Sequence, residues 1–155
     1  MDRLTPEERK ENMRRIRDRN SRPELIVRQM LFRQGYRYRI NYKKLPGKPD
    51  IVFPGRKLAI FVHGCFWHLH PECAEGRVPS SNVEYWRHKL QRNVERDQQN
   101  LIQLREMGWR TEVIWECETK KPLRLEARLQ TIFQEIALKS EKVAEKQANY
   151  ELPSS

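Results

Sequence analysis

Apolar residues recur along this chain with two different periods. Leu25, Ile26, Met30 and Leu31 keep the spacing of one helical face, and the run stops at Gly35. Ser21-Arg22-Pro23-Glu24, just ahead of it, is a capping box: a serine oxygen for a free amide, with a glutamate three residues on. Thr5-Pro6-Glu7-Glu8 is another, with proline at the first helical position, and predicts a helix from Pro6 to about Arg17. Only Met13 and Ile16 are apolar in the basic part of that helix, so it is a poor core element. Strand patterns follow at Tyr36 to Ile40, Asp50 to Phe53 and Lys57 to His63. A loop over Asn41 to Lys48 separates the first two, and the turn residues Pro54-Gly55 make the last two a hairpin. A long helix is predicted from about Val83 to Met107, capped by Ser81 or Asn82 and stopped by Gly108. Trp109 to Trp115 returns as a strand with Val113 and Trp115 on one face. Pro122 to about Leu138 is a final amphipathic helix, and Lys139 to Ser155 is a polar stretch with no packing signal.

This order predicts one α/β domain with a central mixed sheet flanked by helices. Residues 1–20 form a basic arm, 21–138 the domain and 139–155 a mobile tail. A chain of 155 residues with 37% apolar and 34% charged residues supports one modest core. Its 31 Lys and Arg against 21 Asp and Glu give a formal net charge of +10. That balance calls for a polyanionic partner, nucleic acid first and an anionic membrane surface second. Arg14, Arg15, Arg17, Arg19 and Arg22 concentrate the charge in the arm, where phosphate contacts would weaken steeply with salt. No run of about 18 apolar residues exists to span a bilayer, and Met1 to Arg22 has no signal-peptide pattern. The expectation is a cytoplasmic, nucleoid-associated protein. With no apolar heptad or surplus apolar face, a monomer is expected.

Three cysteines are an odd number for a disulfide framework. Cys65-x4-His70-x2-Cys73, closed by Cys117, instead makes a set of three thiols and one imidazole suited to tetrahedral zinc. Four protein ligands leave no open position, so such a zinc is structural. On spacing alone His63 and His68 compete with His70. Phe66 and Trp67 follow Cys65 directly, and two adjacent aromatics on a basic protein suit an unstacked base.

Leu45-Pro46-Gly47-Lys48-Pro49-Asp50 at the head of the hairpin resembles the core of restriction-endonuclease-like nucleases. Most of those carry Asp/Glu-x-Lys on the second strand, where this chain has Phe61-Val62-His63. That stretch continues as Gly64-Cys65-Phe66-Trp67-His68. With Asn12-Met13-Arg14, Asn93-Val94-Glu95-Arg96-Asp97, Gly108-Trp109-Arg110 and Val113-Ile114-Trp115-Glu116-Cys117, it is similar to the very-short-patch-repair (Vsr) mismatch endonucleases over about residues 8–120. The resemblance implies a restriction-endonuclease-like fold with a structural zinc on Cys65, His70, Cys73 and Cys117. It implies catalytic magnesium on Asp50, with the backbone carbonyl of Val62 where relatives often have threonine. His68 would move the proton of the attacking water, and Glu24, His63 and Asp97 would complete the polar site. Phe66, Trp67 and Trp86 would wedge into the duplex, with Met13 entering from the minor-groove side and Arg14 and Arg15 beside it. The implied reaction is a nick 5′ of the thymine in a T·G mismatch, in very-short-patch repair of deaminated 5-methylcytosine. The implied partners are mismatched double-stranded DNA and, functionally, a DNA cytosine methyltransferase and repair factors.

Residue chemistry leaves plainer readings beside these. Capping alone explains Glu24. His63 ends an apolar strand as a core histidine would, and Asp97 can pair with helix neighbours or orient a histidine. His68 carries an imidazole, a side chain able to take a proton from water. A related restriction-type or structure-specific nuclease and a non-catalytic, zinc-stabilised DNA-binding module are the alternative functions.

Overall fold

The computed structural model of this protein describes residues 5–8 and 20–150. Helix α1 spans Arg22–Arg33 and starts as its capping signal predicts, with Ser21 Oγ accepting from the Glu24 amide at 3.4 Å. Gly35, at φ +93°, ends it, and the Tyr36 amide folds back onto the Leu31 carbonyl at 3.0 Å. Strand β1 (Ile51–Phe53), a 3-10 turn (Pro54–Arg56) and strand β2 (Leu58–His63) form the predicted hairpin. Residues 64–82 and the long helix α2 (Val83–Glu106) then cross over to strand β3 (Arg110–Trp115). A short helix α3 (Glu116–Thr119) leads to α4 (Pro122–Tyr150). Among the described residues, no helix is long and apolar enough to cross a membrane.

The sheet order is β1-β2-β3, antiparallel between β1 and β2 and parallel between β2 and β3. Strand alternation divides the core in two. Ile51, Phe53, Leu58, Ile60 and Ile114 face Val27, Met30 and Leu31 of α1 and Leu125, Leu129, Ile132 and Phe133 of α4. Val52, Ala59 and Phe61 face the other way, against Leu104 and Leu101 of α2 and Leu45 of the preceding loop. The sheet is thus packed between α1 with α4 on one side and α2 on the other, the mixed α/β layering expected.

Four details differ from the sequence reading. Tyr36 to Ile40 is not a strand: Arg39 alone bridges Val52, through a reciprocal pair of 2.9 Å hydrogen bonds. Tyr36 instead stacks on Phe133 at 3.7 Å, committing the segment to side-chain packing. Leu25 points outward at 40% exposure, and Val27 takes its place in the core. Asn82 precedes α2 in a left-handed conformation with no side-chain capping bond. Finally, α4 continues past Leu138 to Tyr150 although residues 139–150 are exposed. That stretch is rich in Ala, Glu, Lys and Gln, with no Gly or Pro before Pro153 to stop a helix. The capping box at residues 5–8 forms, with Glu8 accepting from the Thr5 amide at 2.8 Å and Thr5 from the Glu8 amide at 3.2 Å. Most of the helix predicted behind it, with Met13, Arg14 and Arg15, lies outside the described residues.

Candidate active site and metal centre

Strand β2 outruns β1, which leaves the Val62 amide without a strand partner on that side. Asp50, one residue ahead of β1, takes its place: the carboxylate accepts from the Val62 amide at 2.7 Å. Burial pushes the Asp50 carboxyl up to about 6, with Glu24 adding to the effect while the Val62 amide, Arg28 and His68 oppose it. Glu24, buried in the first turn of α1, pairs with Arg28 and accepts from the Asn20 amide at 3.2 Å. It therefore does not close the capping box on Ser21 as its spacing suggested. Two adjacent carboxylates, one of them hard to ionise where it lies, are the oxygen donors that suit a hard divalent cation.

At the same end of β2, one residue on from Val62, His63 is buried and its ring stacks on His68 at 3.8 Å. Burial first, and His68 second, lower His63 to about 4, so it stays neutral near pH 7. His68 Nδ1 contacts the Asp97 carboxylate, which projects from α2. The pairing leaves Nε2 as the basic nitrogen of His68. His63, His68 and Asp97 thus converge, and Trp115 stands edge-on to His63 at 5.5 Å.

Trp115 also meets the second cluster, for His70 stacks on it at 4.1 Å. His70 Nδ1 lies 3.7 Å from Cys65 Sγ and 3.5 Å from Cys117 Sγ. With Cys73, these ligand atoms all fall within 4.8 Å of one another. Spacing left three histidines in competition; the geometry brings His70 to the thiols and His63 and His68 to Asp97. Leu69, between the two histidines, sits at φ +47°, and this left-handed turn sends their side chains to different clusters. Gly76 lies so close to the loop that a Cβ there would be 2.2 Å from the His70 carbonyl oxygen. Burial pushes the Cys65 thiol up to about 12, a cost that a cation bound among thiolates reverses. Three sulfurs and one imidazole nitrogen make a soft donor set that fits a zinc-type ion.

Phe66, Trp67 and Trp86 pack edge to face, with centroids 5.0 to 6.0 Å apart. All three are half-buried, so the rings form a compact knob. Asn93 of α2 holds the loop by donating to the Trp67 carbonyl at 3.1 Å. Phe66 and Trp67 of the knob, Asp50, Glu24, His68 and Asp97 all line one open cleft of about 1380 Å³. One turn after another, α2 turns Tyr85, Lys89, Arg92 and Arg96 into it, and Arg22 faces it from the start of α1.

Residues 1–75 match the family model described as DNA mismatch endonuclease Vsr. The type II nicking enzyme V.XorIIP of Xanthomonas oryzae is 50% identical over 132 residues, spanning 85% of this chain and 96% of that protein. The chain belongs to the Vsr endonuclease family. Other relatives are the type II nicking enzyme V.NmeAIP of Neisseria meningitidis, 43% identical over 80% of this chain and 88% of that protein, and the DNA mismatch endonuclease Vsr of Escherichia coli, 41% identical over 70% and 69%.

Within this Vsr-family site, Arg28, Trp115 and Glu116 are residues that sequence reasoning misses. Arg28 reads as one more solvated charge on α1, yet it is 8% exposed and faces Glu24. Trp115 reads as a sheet-face residue, and its ring proves to contact a histidine of each cluster. Glu116 lines the cleft beside Gly64, a juxtaposition that only the parallel β2–β3 pairing creates.

Proposed function

We propose that this protein nicks double-stranded DNA on one strand, 5′ of the thymine in a T·G mismatch, and so begins very-short-patch repair of deaminated 5-methylcytosine. The observation that carries the reading is one cleft lined at once by a carboxylate pair, Glu24 buried and Asp50 half-buried, a histidine backed by aspartate and two rings of the aromatic knob. The names of the relatives support endonuclease chemistry. The reading assigns a magnesium ion to Asp50 and the Val62 carbonyl, and zinc to Cys65, His70, Cys73 and Cys117.

When bound, magnesium neutralises charge on the scissile phosphate and polarises the attacking water. Asp50 anchors the cation site, and Glu24 completes the polar site beside it. His68 Nε2 takes a proton from water, while Asp97 fixes the ring through Nδ1 and stabilises the imidazolium that results. His63, neutral beneath the His68 ring, keeps that ring in place. Phe66, Trp67 and Trp86 enter the base stack; unstacking costs a few kcal/mol per step and is least for a weakly paired base, which favours a wobble pair. Met13, Arg14 and Arg15 of the arm reach the duplex from the other groove. The protein acts as a monomer in the nucleoid and follows a cytosine methyltransferase, whose product generates the mismatch on deamination.

The test is a panel of T·G, matched and otherwise mismatched duplexes, incubated with magnesium or chelator. Nicking restricted to T·G and dependent on magnesium is expected. Equal cutting of matched DNA would point to a restriction-type nuclease, and binding without cutting to a non-catalytic module. Asp50→Ala should abolish nicking with DNA binding retained.

A further inference from the structure

We propose that Arg28 is a positioning residue, which grips Glu24 from the buried side and sets how strongly the Glu24–Asp50 pair draws a divalent cation. The inference rests on the cation site proposed at Asp50. A Glu–Arg pair four residues apart on a helix ordinarily lies on the surface, where it contributes a few tenths of a kcal/mol. This pair is buried, with Arg28 8% and Glu24 6% exposed. Desolvating two charges costs several kcal/mol per ion, and apolar residues of similar size would fill the space at less cost. Stability therefore does not account for the pair.

Its geometry accounts for it better. Both Glu24 oxygens are committed, one to Arg28 and the other to the Asn20 amide. Arg28 Nη1 also donates to Asn20 Oδ1 at 2.8 Å, which closes a triangle of Asn20, Glu24 and Arg28. Arg28 Nε is buried with no partner among the described residues, so part of the cost of desolvating the guanidinium goes uncompensated. Glu24 and Asp50 together line both the main cleft and a small cavity of about 60 Å³ behind it. A cation attracted by both carboxylates meets Glu24 already held by a fixed positive charge. Asp50 is left as the direct ligand, and Glu24 receives the water around the ion.

The test measures Mn2+ binding to the purified full chain by electron paramagnetic resonance, alongside single-turnover nicking. Arg28→Met removes one positive charge and the grip together. Mn2+ should bind about tenfold more tightly while nicking slows by about tenfold or more. Arg28→Lys keeps the charge without the fork, so its Mn2+ affinity should return to within about twofold of wild type while nicking stays slow. Tighter binding with slower turnover is a split that mere loosening of α1 does not produce. Parallel loss of affinity and rate in step with a lowered Tm, or no change in either, would overturn the proposal. If Arg28→Met does not fold, Arg28→Lys decides alone: wild-type nicking rejects the proposal, and slow nicking at unchanged Mn2+ affinity and Tm supports it. Asp50→Ala is the control. Should it retain full Mn2+ binding, the cation site itself falls and this inference with it, whereas an Arg28 failure alone leaves that site standing.

Discussion

Asp50 shows most directly how single side chains here trade stability for chemistry. Its carboxyl is raised from 3.8 to about 6, chiefly by burial, so the folded state holds the proton more tightly than the unfolded chain. The stability this provides is fully present below pH 3.8 and is lost as pH rises through 6. Asp50→Asn keeps an acceptor for the Val62 amide without the charge. Without divalent ions the variant should be more stable at pH 7, by on the order of 3 kcal/mol, and the gain should vanish in acid. Denaturant titrations at several pH values check this, and nicking should be lost throughout. Gly76 shows the opposite dependence, on having no side chain at all. Since a Cβ would overlap the His70 backbone, Gly76→Ala should displace the cluster loop and cost about 2 kcal/mol or more. Elemental analysis should then find much less than the single zinc per chain proposed for the parent.

At the scale of elements, residues 139–150 extend α4 without burying anything. Truncation after Leu138 should therefore leave nicking unchanged and Tm within about 2 °C, since exposed positions away from packing contribute little; differential scanning calorimetry decides it. The tail also shows what sequence could and could not reveal. Where an element buries a face, its pattern was legible: Asp50 to Phe53 and Lys57 to His63 read as strands, and about Val83 to Met107 as a helix stopped at Gly108, each within a residue of the observed bounds. Where partners decide, the pattern misled. Tyr36 and Tyr38 alternate like strand residues, but β1 is three residues long and offers Arg39 a single pairing position. The cysteines and His70 could be grouped from their donor types, because a metal needs few residue kinds at short separations. Arg28 could not be singled out, because nothing in Leu25-Ile26-Val27-Arg28 reveals that the fourth residue turns inward to a glutamate one turn back.

At the scale of the molecule, the cleft joins a strongly basic chain to an acidic reaction centre. Arg22 and Arg92 with Arg96 face it from different helices, the side chains that phosphates pair with. Log–log plots of DNA affinity against salt should be steep, and Arg92→Gln or Arg96→Gln should each flatten the slope by about one unit, without altering the preference for a mismatched duplex. Fluorescence anisotropy over a salt series measures both. The parallel alignment of β2 with β3, which sets His63 beside Trp115, has a less obvious result. Cys65 departs from one strand end and Cys117 from just past the other, while the two apolar cores lie behind them and do not include the cluster. With zinc in the cluster as proposed, a copy made in a zinc-starved cell should keep both apolar cores but lose the order of the loop bearing Phe66, Trp67 and His68, so activity should fail before helix content does.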